Sequence, residues 1–127
     1  MKDYLYYNSR DEFMRIDIAQ IVYFAANGNY TDIVLANKQR CTLGLSMSQM
    51  ENYLTDNLKE KARCFVRIGK SCIVNLNHIY RINVPQQFLM LSTDNLSVYK
   101  LAISKDALKK LKELMVRSVQ QKREELR

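Results

Sequence analysis

Two-residue alternation of apolar and polar side chains dominates the sequence from Tyr4 to Leu45 and constrains its fold more than any other feature. Met14, Ile16 and Ile18 flank Arg15 and Asp17, while Ile33 and Leu35 are interleaved with Asp32 and Val34. Successive side chains of a strand point to opposite faces, so this period reads as half-buried β-strands. Breaks at residues 8–11, 27–29 and 37–39 all carry Asn, which tolerates tight-turn backbone. Three or four strands are therefore expected in the first 45 positions. A second strand-rich block covers residues 65–68, 72–74, 79–82 and 88–91, then returns through 96–103 after a Thr93-Asp94-Asn95 turn. Pro85 falls between strands, where its missing N–H does no harm.

Two helical stripes interrupt this pattern. Met47, Met50, Leu54 and Leu58 follow Ser46 at three- and four-residue steps, with Ser46 as the cap of a helix packed on a sheet. Leu108, Leu111 and Met115 repeat the arrangement behind Ser104, with Asp106 in the first turn. Beyond Met115 the apolar residues thin out. Residues 117–127 are expected to project as a charged helical extension or to fray. The reading is a mainly β protein with short α-helices and a C-terminal helix, its domain spanning residues 1–116. With 127 residues, three Gly and one Pro, the whole chain is expected to fold as one unit with little room for a linker.

Charge is unevenly placed. Residues 1–60 carry 6 Lys/Arg against 8 Asp/Glu, whereas residues 61–127 carry 14 against 5, so the net +7 arises wholly in the second half. A basic half is the footprint of a phosphate-binding surface, and equally of a docking face for an acidic protein. No apolar run is long enough to span a membrane, and residues 1–7 do not form a signal peptide, so a cytoplasmic protein without membrane partners is expected. Cys41, Cys64 and Cys72 match no zinc or redox spacing and read as reduced core thiols.

Catalytic chemistry finds little to build on. His78 is the single histidine, so any triad or metal site would depend on it, and it reads as a surface or structural residue. Gly28, Gly44 and Gly69 are isolated, so no phosphate-cradling loop exists. Neither an enzyme nor a cofactor or metal is expected.

Two segments together carry a family resemblance. Ile18-Ala19-Gln20-Ile21-Val22-Tyr23-Phe24-Ala25-Ala26-Asn27-Gly28-Asn29-Tyr30-Thr31 resembles the start of a LytTR domain: an Ile, two aromatics, then a short polar loop ending in Asn-Tyr. Phe65-Val66-Arg67-Ile68-Gly69-Lys70-Ser71-Cys72-Ile73-Val74-Asn75-Leu76-Asn77-His78-Ile79 resembles that family's central signature, although Gly69 stands where the family commonly has His or another polar residue. The closing Ile103-Ser104-Lys105 falls where the family has its last corner, and the match spans roughly residues 5–116.

The resemblance implies an elongated β-β-β LytTR-type fold and a bacterial transcription regulator of the response-regulator output type. It implies double-stranded DNA as partner, read at promoter direct repeats by loops entering successive grooves. It further implies a receiver domain or sensor-kinase pathway upstream, or else a stand-alone regulator, and allows a homodimer on DNA. Carried over by position, the contact residues are Asn27, Asn29 and Thr31 in the first loop. Arg67, Lys70 and Ser71 form the second, and Ser104 and Lys105 the third. Residue chemistry supports these positions. Lys70 in a Gly-Lys-Ser turn has no core to enter and can reach guanine O6/N7 or a phosphate. A helix N-terminus at Ser104 favours an anion. Arg67 braces its loop or touches phosphate, Asn27-Gly28-Asn29 is equally an ordinary turn, Ser104 equally a simple cap, and Tyr30 is read as packing in the sheet. An interaction module for an acidic protein and an RNA-binding domain stacking bases on tyrosines remain alternatives.

Overall fold

The computed structural model describes residues 3–93 and 97–125, with side chains through position 123. At the first polar break the Ser9 N–H donates to the Glu12 carbonyl at 2.8 Å, folding β1 (Tyr4–Asn8) antiparallel onto β2 (Phe13–Asp17). Asp17 then ends β2. Its carboxylate accepts the Ala19 N–H at 3.0 Å and winds Ile18–Gln20 into one 3-10 turn before β3 (Ile21–Asn27). Alternation reads straight through this turn, because Ile18 keeps the apolar beat. The first 45 residues consequently hold five strands rather than three or four, with β4 (Tyr30–Leu35) and β5 (Arg40–Leu43) completing them.

Helix α1 (Met47–Leu58) starts at Ser46, whose hydroxyl accepts the Gln49 N–H while the Gln49 side chain accepts the Ser46 N–H. After it come β6 (Phe65–Ile68) and β7 (Cys72–Asn75). These join the earlier strands in a five-stranded antiparallel sheet of order β5-β4-β3-β7-β6. A third sheet, β10-β9-β8, is formed by β8 (Ile79–Asn83), β9 (Phe88–Ser92) and β10 (Val98–Ala102). The turn expected at Thr93-Asp94-Asn95 includes positions outside the described residues, and Leu96 lies outside them too. Helix α2 (Lys105–Glu125) closes the described chain.

The central sheet is covered on both sides. One face sends Phe24, Ile33 and Ile73 against Met50 and Leu54 of α1 and Leu5 of the β1–β2 hairpin. The other sends Val22, Val34 and Val74 against Leu89 and Leu91 of β9 and Leu108 and Leu111 of α2. A β-bulge between Ile21 and Tyr23 lets the adjacent Val22 and Tyr23 both reach this second core. The reading of half-buried strands is thus corrected for β3 and β4, whose neighbouring layers exclude water from both faces. Each fully buried Phe, Leu or Ile contributes about 1.5–3 kcal/mol, and Phe24 adds an edge-on ring contact with Phe65 at 5.4 Å.

The cysteines are free thiols. Cys72 is buried, and burial pushes its pKa up to about 12, while Cys41 and Cys64 are half-buried. The His78 Nε2 lies 2.7 Å from the Ala19 carbonyl oxygen, joining the turn before β8 to the turn before β3. Among the described residues no helix is long and apolar enough to cross a membrane.

Candidate nucleic-acid interface

Two glycines shape one end of the central sheet. The β3–β4 turn needs Gly28 at φ +61°, and the β6–β7 turn needs Gly69 at φ +63°, backbone that residues bearing a Cβ adopt at a cost. Strands β3 and β7 are direct neighbours, paired at Ala25 and Cys72, so the two turns lie side by side. The Ala26 N–H donates to the Ser71 carbonyl at 2.9 Å and fastens one to the other. On the far side, a cleft of about 450 Å³ is lined jointly by Gly69, Ser104, Asp106 and Lys110, which brings the start of α2 to the same end. Residues 27–30, residues 69–71 and the Ser104-Lys105 corner therefore share one edge. All are exposed.

The side chains on this edge differ in availability. Lys70 and Lys105 are exposed, and among the described residues neither has an ion-pair partner. Ser71 and Asn29 are exposed at turn tips. Ser104 accepts the Ala107 N–H at 3.4 Å and caps α2. Asn27 is exposed but donates from Nδ2 to both carboxylate oxygens of Asp32, at 3.3 Å each.

Two residues of the expected set are turned away from solvent. Thr31 is fully buried, its hydroxyl donating to the Leu45 carbonyl at 2.8 Å, because β4 alternation directs position 31 into the α1 core. Its side chain offers nothing at the surface. Arg67 is mostly covered. It donates to Ser48 Oγ and Glu51 Oε1, at 3.1 Å each, and to the Lys70 carbonyl at 2.9 Å, so its fork ties α1 to the turn carrying Lys70. Tyr30 is 55% exposed rather than packed in the sheet. It pairs with Asn27 on the last rung beside the turn, past the reach of either core.

Reading from sequence also misses a polar cluster behind the edge. Asp32 is 8% exposed and accepts from the Thr42 hydroxyl at 2.7 Å, from Asn27, and from Arg40 at 3.5 Å. The Thr42 hydrogen bond holds its carboxyl below the usual carboxylate range, against the effect of burial, with Asn27 and Arg40 acting in the same direction as Thr42. Arg40 also donates to the Tyr23 hydroxyl at 3.4 Å. By alternation alone Asp32 is an ordinary polar position. Its signal is the facing pair on β5, where Thr42 sits opposite it.

Chemically, the edge offers two exposed ammonium groups, turn amides, short polar side chains and a capped helix N-terminus. Such groups bind a polyanion and hydrogen-bond flat polar edges.

A sequence profile of the LytTr DNA-binding domain matches residues 11–116. No curated protein matches the chain significantly. A solved structure from Bacillus cereus is similar in fold, with a TM-score of 0.59, 22% identity, and coverage of 91% of this chain and 98% of its own. It is described as the LytTr DNA-binding domain of a putative methyl-accepting/DNA response regulator.

Proposed function

The chain belongs to the LytTR DNA-binding domain family, and from that premise we propose that it binds double-stranded promoter DNA sequence-specifically as the output module of a bacterial transcriptional regulator in the cytoplasm. The reading edge is the row of turns formed by residues 27–30, 69–71 and 104–105. One observation carries this: segments some 75 residues apart in sequence meet on one exposed edge, with Lys70 and Lys105 upon it and without an ion-pair partner among the described residues. Lys70 supplies the central contact, to guanine O6/N7 or to a phosphate. Lys105 and the amides at the start of α2 hold the backbone. Asn27 and Asn29 face base edges. Arg67 acts from behind, holding the Lys70 turn against α1, and Thr31 supports β4 from within. No step of this reading is catalytic.

Response-regulator context is supported by the description of the Bacillus cereus neighbour. Paired direct repeats would seat two copies on one face of the duplex, about 10 base pairs apart or a multiple of that.

Electrophoretic shifts decide the matter. Duplexes recovered from a random library should bind far more tightly than single-stranded RNA of the same length, with affinity falling as salt rises. Lys70→Ala should weaken specific duplex binding about tenfold while changing stability by no more than about 0.5 kcal/mol, as at other surface positions. Equal binding of RNA and duplex would favour an RNA reader. Binding of neither would favour a protein partner, and a core-sized loss of stability would make Lys70 structural.

A further inference from the structure

We infer that Asp32 sets the hydrogen-bond polarity of Asn27, so that the first turn accepts a hydrogen bond from an exocyclic amine of adenine or cytosine in the major groove. This inference rests on the DNA-reading edge proposed above and deepens it.

An ionised carboxylate has only acceptors, whereas an Asn amide has a donating nitrogen and an accepting oxygen. With Asp32 Oδ1 and Oδ2 each 3.3 Å from Asn27 Nδ2, the amide must turn its nitrogen inward and its oxygen outward. The anchor itself is fixed. Thr42 donates to Asp32 at 2.7 Å, and Arg40 spans from Asp32 to the Tyr23 hydroxyl. The carboxylate is buried while Asn27 is exposed, so the selection is made behind the surface and presented at it. A free Asn pairs bidentately with adenine through N6 and N7, using donor and acceptor together. Held by Asp32, Asn27 leads with its acceptor. One N–H of Nδ2 is shared between the two Asp32 oxygens and the other stays beside Oδ1, so guanine O6 and thymine O4, which are acceptors, are disfavoured opposite the outward Oδ1. Asp32 is therefore a positioning residue for specificity and does not itself touch DNA.

The test uses duplexes selected from a random library by the intact chain. One position of the selected site should demand adenine or cytosine. Replacing that base with its amine-lacking analogue, purine or 2-pyrimidinone, should cost about tenfold in affinity. Asn27→Ala should abolish the preference at that position alone. Asp32→Asn, nearly isosteric, lets the Asn27 amide turn over, and should admit guanine or thymine there while binding the parent site within a few-fold. The inference fails if Asp32→Asn keeps the original preference, or lowers affinity for every duplex equally. Should Asp32→Asn not fold, the wild type and Asn27→Ala decide together: an amine requirement that excludes guanine and thymine in the wild type and is lost in Asn27→Ala upholds a fixed amide, whereas wild-type tolerance of guanine or thymine there, or a requirement surviving Asn27→Ala, overturns the inference. A wild-type chain with no sequence preference would sink the DNA-reading proposal itself, and this inference with it.

Discussion

Arg67 shows how far a single residue can be read before its neighbours are known. The sequence places it between Val66 and Ile68 beside a Gly-Lys-Ser turn, which is compatible with bracing or with phosphate contact. Its partners Ser48 and Glu51 lie 16–19 positions upstream on α1, and no local pattern announces them. Lys70 is legible for the opposite reason. A cation in a two-strand turn has nowhere to go but solvent. Thr31 is misread from sequence because β4 turns that position inward, and the exposed Tyr30 because its rung lies beyond the core. The bracing role gives a distinct expectation for Arg67→Ala. Losing charge-assisted bonds to Glu51 and the Lys70 carbonyl should destabilise the fold by about 1–2 kcal/mol, read from denaturant unfolding. Duplex affinity should fall, yet its salt dependence should stay as in the wild type, because no phosphate contact is removed. A flatter salt slope would show Arg67 on the DNA.

At the scale of elements, legibility follows local signals. Helix α1 is plain because its stripe and its capping Ser46 agree. The boundary between β2 and β3 is not, since a single Asx-type bond from Asp17 makes it and Ile18 masks it. Strand β4 looks one-sided because Ile33 and Leu35 alternate with Asp32, and the unbroken apolar run from Ile21 to Ala26 in β3 is masked by the alternation around it, while Val22 and Val34 serve a second layer contributed from residues 88–111. Helix α2 combines both situations. Leu108 and Leu111 are buried, but Val116 and Val119 are nearly half exposed and the following turns are polar. Leu111→Ala should therefore cost about 2–5 kcal/mol. Ending the chain after Arg117 should leave the unfolding midpoint nearly unchanged, since little apolar area is removed. Equal losses from the two changes would mean that the distal helix carries structure of its own.

The whole molecule depends on pairings that no window of sequence contains. Strand β3 meets β7 across about 50 residues, and that register alone sets the Asn27 turn beside Lys70. Only the family resemblance allows the three turns to be grouped in advance. Charge is legible in amount but not in use, because the strongly basic second half places some cations on the edge and others along α2. Lys122 lies 17 residues past Lys105, about 26 Å further along the helix at 1.5 Å per residue, well over a Debye length of about 8 Å at physiological salt. Position, then, should outweigh total charge in binding. Converting Lys70 or Lys105 to Glu should weaken duplex binding sharply at low salt, and each should flatten the plot of log affinity against log salt by about one unit for every phosphate it no longer neutralises. Converting Lys122 and Arg123 together removes twice the charge, yet should leave both affinity and slope near wild type. Fluorescence anisotropy across a salt series measures all of these. Equal flattening from the edge and the distal helix would mean that net charge, rather than the row of turns, holds the DNA.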